Sequence, residues 1–241
     1  MVTRLTAVMT DGPCEPDGVT GLRWAAVGNA AALGQAAAAF CRRHGCDVLP
    51  DVHRGHSWAR ACVTAPALLR AVTAMIGPNV AVESSLLVVK RPECPYVVPA
   101  HQDGINDRIV LDPARSVAVW LALSDVGETA GCLQVAAGSH RAGYKPYRRE
   151  TTGCDLHLAV RDPARFVFTK LPVTAGAAIA LDVRTVHRSA TNRGPVPRIA
   201  LNIRYVAPGA VHLRRREPLP VLDVICGNSW SSPPPPRQGR A

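Results

Sequence analysis

Residues 174–205 read TAGAAIALDVRTVHRSATNRGPVPRIALNIRY, and this stretch decides the fold class. Its two apolar runs, AAIALDV and RIALNIRY, contain residues that favour β-strands, and a segment with Gly, Pro and Asn lies between them. Side chains alternate between the two faces of a strand. The second run therefore has two different faces. Its apolar face consists of Ile199, Leu201, Ile203 and Tyr205, and its partly polar face consists of Arg198, Ala200, Asn202 and Arg204. This pattern predicts two strands of a β core.

Similar strand patterns begin at Val80 and continue up to this stretch. They read AVESSLLVVK, SVAVWLALS, CLQVAA and RFVFTKLPV, and Gly, Pro, Asp and Asn separate them. The preceding part of the chain favours helices over residues 23–44 and 58–76, because both segments are rich in helix formers and a glycine follows each. Helices first and strands later predict a mainly β fold, a sandwich or a barrel, with flanking N-terminal helices.

The length of 241 residues is compatible with one domain of this kind. We assign a single domain to residues 1–226, with a helical N-terminal part over about 20–78 and the β core over about 79–210. Residues 227–241 are rich in Pro and Ser, which predicts a flexible tail without a catalytic role.

Composition narrows the class of protein. No apolar stretch approaches the ~18 residues that span a bilayer, and the first residues lack a secretory signal pattern, so we expect a cytoplasmic protein without a membrane partner. The eight cysteines include no CxxC pair, which favours reduced thiols over a disulfide framework or a zinc ribbon. The net charge of +10 favours an anionic partner, unless the basic residues form only a solvated surface.

The motif HQD places His101 and Asp103 two residues apart, and such residues project to the same side of an extended segment. With His187, they would form the set of two histidines and one carboxylate that is typical of non-haem Fe(II) oxygenases. Arg198 follows eleven residues later, and a guanidinium can hold a carboxylate through two hydrogen bonds. Each residue alone is more often structural, but their ordered combination indicates a site.

Other candidate sites have less support. His53 and His56 have no carboxylate or thiol nearby at ligand spacing, so a loop role is favoured. The chain contains no GxSxG, phosphate-binding loop or dinucleotide-binding fingerprint, which leaves hydrolase, NTPase and nicotinamide chemistry unsupported. Residues 144–149 interleave aromatic and basic side chains, as proteins that bind single-stranded nucleic acid do, and a lid over a substrate explains them equally well.

Three blocks of sequence closely resemble the phytanoyl-CoA dioxygenase family of Fe(II)- and 2-oxoglutarate-dependent oxygenases. They are HQDG at 101–104, SVAVWLALSDVGETAGCLQVAAGSH at 116–140, and the stretch 174–205. The resemblance is strongest from about Val80 to Pro208, and the tryptophan strand with GCLQVAAGSH is far more specific than HxD alone. It implies a double-stranded β-helix, or jelly roll, with helices packed outside it.

Position by position, the resemblance implies that His101, Asp103 and His187 bind Fe(II). It also implies that Arg198 holds the distal carboxylate of the cosubstrate 2-oxoglutarate, with assistance from Ser189.

Substrate contacts are harder to assign. Trp120 resembles a pocket-wall position, with a plain core tryptophan as a nearly equal alternative. Residues 141–165 match nothing in the family pattern, and specificity usually lies in such loops. We therefore include Tyr144 and Arg204 with Trp120 as candidate residues of the substrate pocket.

The implied function is a dioxygenase that uses Fe(II), 2-oxoglutarate and O2 to hydroxylate a polar or anionic small molecule, free or carrier-bound, in bacterial specialised metabolism. Asp103 argues against halogenation, because halogenases on related scaffolds have a small residue in its place. Desaturation, cyclisation and epimerisation use the same ligands and stay open. The alternative of another class is a non-catalytic basic jelly roll that binds a protein partner or, with less support, nucleic acid. We do not expect a fatty acyl-CoA substrate. The sequence predicts no particular oligomeric state.

Overall fold

The computed structural model describes residues 17–23, 30–44, 47–92, 94–152, 155–216 and 218–230. In these ranges the chain forms fifteen strands: β1 Val19–Arg23, β2 Val48–Pro50, β3 Val80–Lys90, β4 Val98–His101, β5 Ile109–Leu111, β6 Ser116–Ala122, β7 Leu133–Val135, β8 Tyr147–Thr152, β9 Asp155–Val160, β10 Thr169–Leu171, β11 Ala177–Leu181, β12 His187–Ser189, β13 Arg198–Val206, β14 Val211–Leu213 and β15 Asp223–Cys226. The same ranges contain four α-helices: α1 Ala30–His44, α2 Val52–Gly55, α3 Ser57–Val63 and α4 Pro66–Ile76.

The strands build two main antiparallel sheets. The larger sheet has the order β1-β11-β6-β13-β3-β15, with β2 also paired to β3, and the smaller sheet has the order β10-β7-β12-β4. Apolar side chains of both sheets share one buried cluster, which includes Trp120, Leu133, Val135 and Ile179. The architecture is the predicted mainly β fold, a double-stranded β-helix with helices outside it.

The alternation in β13 separates the helical layer from the interior of the jelly roll. Ile199, Leu201, Ile203 and Tyr205 belong to the buried cluster that joins the larger sheet to the helices. The Tyr205 hydroxyl donates a hydrogen bond to the Val63 carbonyl at the end of α3 (2.9 Å). The opposite face of β13 is directed towards the space between the sheets, where Arg198 lies.

Both helix predictions need correction. Arg23 ends strand β1 and is paired with Ala177, whereas α1 begins at Ala30; residues 24–29 lie outside the described ranges. The helix prediction was wrong at Arg23 because helix propensity depends only on the local sequence, whereas β1 pairs with β11, more than 150 residues away in sequence. The segment 58–76 is divided into α3 and α4, because Pro66 disfavours helical geometry at Ala65, whose backbone is extended (ψ 126°).

Strand β15 ends at Cys226, and residues 231–241 of the predicted tail lie outside the described ranges. In the described ranges, Cys62, Cys94, Cys132 and Cys226 are thiols outside any disulfide. Within the described ranges, no helix is by itself long and apolar enough to cross a membrane; α3 and α4, bent by 45°, meet the length and composition criteria only as a pair.

Candidate active site

Strands β4 and β12 bring the two histidines together. The strands are antiparallel neighbours in which His187 is paired with His101, and the two imidazole centroids lie 4.2 Å apart. Asp103 lies in the turn after β4 rather than on the strand. Its carboxylate oxygens lie 3.6 Å from His101 Nε2 and 3.4 Å from His187 Nε2. The ligand atoms of the three residues all lie within 4.8 Å of one another.

Main-chain carbonyls fix the orientation of both imidazole rings. His101 Nδ1 lies 2.8 Å from the Pro99 oxygen, and His187 Nδ1 lies 2.9 Å from the Thr185 oxygen. A carbonyl oxygen only accepts hydrogen bonds, so each Nδ1 carries a proton, and in the neutral form of each ring Nε2 keeps a lone pair that can bind a metal. Such carbonyl contacts are typical of histidines that bind metals, because they orient the ring and set its tautomer.

Two side chains of β13 support Asp103. Asn202 Nδ2 lies 3.1 and 3.2 Å from the two carboxylate oxygens. Arg204 Nη1 donates to the Asp103 main-chain oxygen (2.9 Å), and Arg204 Nε forms an ion pair with Glu83 (2.7 Å). The carboxylate is therefore held in place from the larger sheet while the histidines are held by the smaller sheet.

The electrostatics of the site favour the deprotonated forms of Asp103 and His187 and the protonated form of His101. Burial opposes ionisation of Asp103, but His187, His101 and Arg204 hold the pKa of its carboxyl well below the ordinary value. Burial, together with the charge of His101, lowers the pKa of His187 to about 4. For His101, burial is outweighed by the hydrogen bond and charge of Asp103, and its pKa is raised. At neutral pH the group therefore offers an anionic oxygen and a neutral His187.

The middle residue of the HQD motif has a structural role. Gln102 is buried, and its Nε2 donates to the Gly143 oxygen (3.2 Å) and to the Arg184 oxygen. Its Oε1 accepts a hydrogen bond from the Lys145 main-chain nitrogen (2.7 Å). Gln102 thereby joins the turn that carries Asp103 to two other loops.

Arg198 lies on the inner face of β13 and is 2% exposed. Its Nε and Nη2 donate to the Gly131 oxygen (3.2 and 3.0 Å), and Nη2 also donates to Ser189 Oγ (3.2 Å). The guanidinium carbon lies 5.5 Å from the Trp120 ring centroid. The structure therefore places Ser189, the residue predicted to assist Arg198, and Trp120, predicted as a pocket-wall residue, next to Arg198.

These residues line a single cavity of about 740 Å³. Its wall includes the three proposed metal ligands together with Trp120, Ser189, Arg198, Asn202 and Arg204. The wall also includes Glu83, Leu86, Ile105, His157, Leu158 and Leu219. Arg204, one of the predicted pocket residues, thus lies in the wall, although its ion pair with Glu83 occupies part of its guanidinium.

Tyr144 is not among the residues that line this cavity, and its predicted place in the substrate pocket is corrected here. Its hydroxyl donates to the Leu111 oxygen (2.6 Å), and burial raises the pKa of this hydroxyl. A Cβ atom added at Gly104 would lie 2.2 Å from the same hydroxyl. Tyr144 therefore packs behind the turn of Asp103, and only a glycine fits at position 104.

Within residues 141–165, strands β8 and β9 form a two-stranded antiparallel sheet, the β8–β9 hairpin. Strands β8 and β9 pair from Tyr147 with Val160 to Thr152 with Asp155, and His157 and Leu158 of β9 line the cavity. The basic residues of this hairpin lie near acidic partners: Arg149 Nη2 lies 2.5 Å from Asp107 Oδ2, and Arg148 pairs with Glu150 (3.0 Å). Sequence patterns missed β8 because its residues, YRRETT, are mostly polar.

Two residues of the site were missed by the sequence interpretation. Asn202 was visible as a member of the polar face of β13, four residues after Arg198, but nothing in the pattern connected it with Asp103. Gly131 contributes only a carbonyl oxygen, and its φ of 70° places it in the left-handed region that favours glycine. Its role in orienting Arg198 could not be seen without coordinates.

The fold and the site together define a class of protein: a double-stranded β-helix that presents two histidines and a carboxylate beside a buried arginine. The family model of phytanoyl-CoA dioxygenase (PhyH) matches residues 29–200. The chain therefore belongs to the phytanoyl-CoA dioxygenase family, whose members are non-haem enzymes that depend on Fe(II) and 2-oxoglutarate.

Curated relatives match part of the chain. Phytanoyl-CoA dioxygenase 1 of Oryza sativa subsp. japonica is 33% identical over 128 residues, which are 52% of this chain and 44% of that protein. The phytanoyl-CoA dioxygenase of Arabidopsis thaliana is 28% identical over 126 residues, again 52% of this chain and 44% of that protein. The matched region thus spans less than half the length of these relatives.

Solved structures share the fold. The non-haem α-ketoglutarate-dependent carbocyclase SnoK from nogalamycin biosynthesis has a TM-score of 0.70 at 21% identity, covering 87% of this chain and 92% of SnoK. The apo form of the non-haem monooxygenase ThoJ has a TM-score of 0.69 at 24% identity, covering 90% of this chain and 83% of ThoJ. The epimerase SnoN, solved with Fe³⁺, α-ketoglutarate and nogalamycin RO, has a TM-score of 0.68 at 18% identity, covering 89% and 92%.

Proposed function

We propose that this protein is an Fe(II)- and 2-oxoglutarate-dependent dioxygenase that hydroxylates an unactivated C–H bond of a polar or anionic small molecule in bacterial specialised metabolism. One observation carries the proposal: three ligand side chains within 4.8 Å of one another and Arg198 line the same cavity.

The three side chains fit a bound Fe(II). In their neutral forms His101 and His187 each offer an Nε2 lone pair, Asp103 supplies an anionic oxygen, and two nitrogens with one carboxylate suit non-haem Fe(II) with open positions. When bound, the metal supplies the oxidising power: O2 and 2-oxoglutarate are converted to succinate and CO2, and one oxygen atom enters the substrate. Asn202 and the two carbonyls keep the ligands in one geometry.

Arg198 is the proposed contact for the distal carboxylate of 2-oxoglutarate. Its Nε and Nη2 are committed to Gly131 and Ser189, so the guanidinium is already oriented before the cosubstrate binds. A guanidinium held in this way loses little freedom when it forms charge-assisted hydrogen bonds with a carboxylate. The remaining wall, from Glu83 to Leu219, would bind the substrate.

The polarity of that wall is the support for a polar or anionic substrate. The Glu83–Arg204 pair and His157 lie in the wall with Leu86, Leu158 and Leu219, so the wall offers both polar and apolar groups. The carboxylate of Asp103 at the metal group favours hydroxylation over halogenation. Carbocyclase and epimerase activities are stated for the similar structures SnoK and SnoN, and an analysis of products would distinguish those reactions from hydroxylation.

The proposal is tested by 2-oxoglutarate turnover. We expect purified protein with Fe(II) and O2 to convert 2-oxoglutarate slowly to succinate without substrate, and Asp103→Ala to lose this conversion because the anionic ligand is removed. Asp162→Ala, which changes an exposed carboxylate that does not line the cavity, is the matched control and should retain it. Succinate formation that needs no iron, or that survives Asp103→Ala, would favour a different function.

A further inference from the structure

A second buried cation lies behind Arg198. Lys90, at the end of β3, is 1% exposed and is paired in register with Arg198, at the start of β13. Its Nζ donates to the main-chain oxygens of Ser189 (3.0 Å) and Ala190 (2.6 Å) and lies 5.3 Å from the Tyr96 ring centroid. Two strands thus place two side chains of like charge beside each other in the interior.

The two cations have no anionic partner in the described part of the chain. The ion pairs found there include neither Lys90 nor Arg198, and the hydrogen-bond acceptors of both are carbonyl oxygens and one hydroxyl. A buried charge that is paired only with neutral dipoles is costly, and two of them repel. Burial, together with the charge of Arg198, lowers the pKa of Lys90 to about 6, and burial lowers the pKa of Arg198 to about 10. Without an anion in the cavity, neutral Lys90 is therefore favoured at pH 7, and a carboxylate bound beside it would favour the charged form.

This local surplus of positive charge lies at one end of the cavity. Arg198 and Ser189 line the cavity, whereas Lys90 contacts the opposite side of Ser189 through its carbonyl. An anion bound to Arg198 and Ser189 would therefore compensate both cations. A dicarboxylate that also reaches His101 and His187 is the ligand class that suits this arrangement.

We propose that Lys90 is a positioning residue for the distal carboxylate of 2-oxoglutarate, adding its charge to that of Arg198 while it fixes Ser189 on β12. This inference rests on the proposed function. Lys90 does not touch the cosubstrate; it acts through the main chain of Ser189 and through its electric field.

The rival explanation is that Lys90 serves only to hold the loop after β12. Asn192, which is buried, donates to the Lys90 carbonyl (2.9 Å), so Lys90 is also connected to this loop through its main chain. Two substitutions separate charge from bonding: Lys90→Gln keeps a hydrogen-bond donor without charge, and Lys90→Arg keeps the charge. The acid 2-oxopentanoate, in which a methyl group replaces the distal carboxylate, separates the two ends of the ligand.

The experiment is an anaerobic calorimetric titration of Fe(II)-loaded protein with each 2-oxo acid. We expect Lys90→Gln to weaken 2-oxoglutarate binding about tenfold or more, the effect of one charge in a partly buried site, and to leave 2-oxopentanoate binding and Fe(II) affinity unchanged. Lys90→Arg should restore most of the affinity for 2-oxoglutarate. Lys170→Gln, at an exposed lysine paired with Glu128, is the matched control and should bind like the wild type.

Three results would overturn the inference: unchanged affinity of Lys90→Gln for 2-oxoglutarate, equal losses for both 2-oxo acids, or failure of both Lys90→Gln and Lys90→Met to fold. The second and third would assign Lys90 to the structure of the loop alone. A wild-type protein that binds no 2-oxoglutarate would overturn the proposed function itself, which distinguishes the two failures.

Discussion

Asn202 is the side chain that limits the freedom of the ligand carboxylate. With Nδ2 near both oxygens of Asp103, it restricts rotation of the carboxylate and leaves one oxygen for a metal once the other accepts its hydrogen bond. Arg204 fixes the main chain of the same residue. Each anchor comes from β13, so the position of Asp103 depends on the larger sheet.

Replacement of Asn202 tests this dependence. We expect Asn202→Ala to weaken Fe(II) binding about 10- to 100-fold, the usual effect of removing a group that orients a metal ligand. The measurement is a metal titration under nitrogen, with Asn79→Ala, a half-buried asparagine outside the cavity that accepts a hydrogen bond from the Ser229 main-chain nitrogen, as the control. Wild-type affinity in Asn202→Ala would mean that the histidines alone determine the site.

Arg198 tests the other end of the cavity. We expect Arg198→Ala to raise the dissociation constant for 2-oxoglutarate about 100-fold, because charge-assisted hydrogen bonds worth about 2–3 kcal/mol are lost. Fe(II) binding should persist, since Arg198 contacts no proposed ligand. Calorimetry of both ligands would check the two expectations, and an unchanged 2-oxoglutarate affinity would assign the distal carboxylate to another residue.

At the scale of elements, β13 connects the site to the helical layer. One face carries Arg198, Asn202 and Arg204 towards the cavity, and the other packs on the helices through residues that include Tyr205. Burial raises the pKa of Tyr205 well above its ordinary value and the pKa of Cys62 to about 12. The folded protein therefore retains protons that the unfolded chain releases in alkaline solution.

The sign of the resulting pH dependence follows from linkage. When the pKa of a group is higher in the folded protein than in the unfolded chain, its stabilisation is complete below the unfolded pKa and is lost as the pH rises above that value. The loss begins above about pH 9 for Cys62 and above about pH 10 for Tyr205. Each group then lowers the free energy of unfolding by up to about 1.4 kcal/mol per pH unit. Tyr205→Phe should cost about 1 kcal/mol at pH 7 through its lost hydrogen bond to Val63, and should flatten this alkaline decline. Urea unfolding at pH 7 and 10.5 checks both; an equally steep decline in the variant would contradict the assignment.

The β8–β9 hairpin is the element we expect to select the substrate. Leu158 lines the cavity, and its apolar side chain is neither a proposed metal ligand nor a proposed cosubstrate contact. We expect Leu158→Ala to raise the KM for the substrate by about tenfold, as the loss of a buried leucine contact implies, while substrate-free 2-oxoglutarate turnover stays the same. Val167→Ala, at a fully exposed valine outside the hairpin, is the control. Equal loss of both rates would indicate a structural role for the hairpin.

At the scale of the whole molecule, the sequence predicted what local patterns and a family resemblance contain. The alternation in β13 and the order of His101, Asp103, His187 and Arg198 were visible, and the structure brings these residues together. Strand β1 and the β8–β9 hairpin were not predicted, because VTGLR and YRRETT lack a clear strand pattern and pairing with another strand is not visible in the sequence. The partners of Asp103 and Arg198 depend on contacts between distant strands, which spacing along the chain does not report.

The positive charge of the chain is also clearer with the structure. Part of it is balanced by surface pairs such as Arg149 with Asp107, whereas Lys90 and Arg198 are buried without an acidic partner in the described ranges. Surface pairs of this kind contribute little to stability. The positive charge that bears on function is therefore that of the few basic side chains inside the jelly roll, rather than the net charge of +10.

The central claim is that one Fe(II) and one 2-oxoglutarate bind in this cavity, and anaerobic binding measurements test it most directly. We predict that the wild-type chain binds one equivalent of Fe(II), that the Fe(II) form then binds one equivalent of 2-oxoglutarate, and that Asp103→Ala abolishes the first event and Arg198→Ala weakens the second. A wild-type protein that binds neither Fe(II) nor 2-oxoglutarate under nitrogen would contradict the claim and favour a non-catalytic jelly roll.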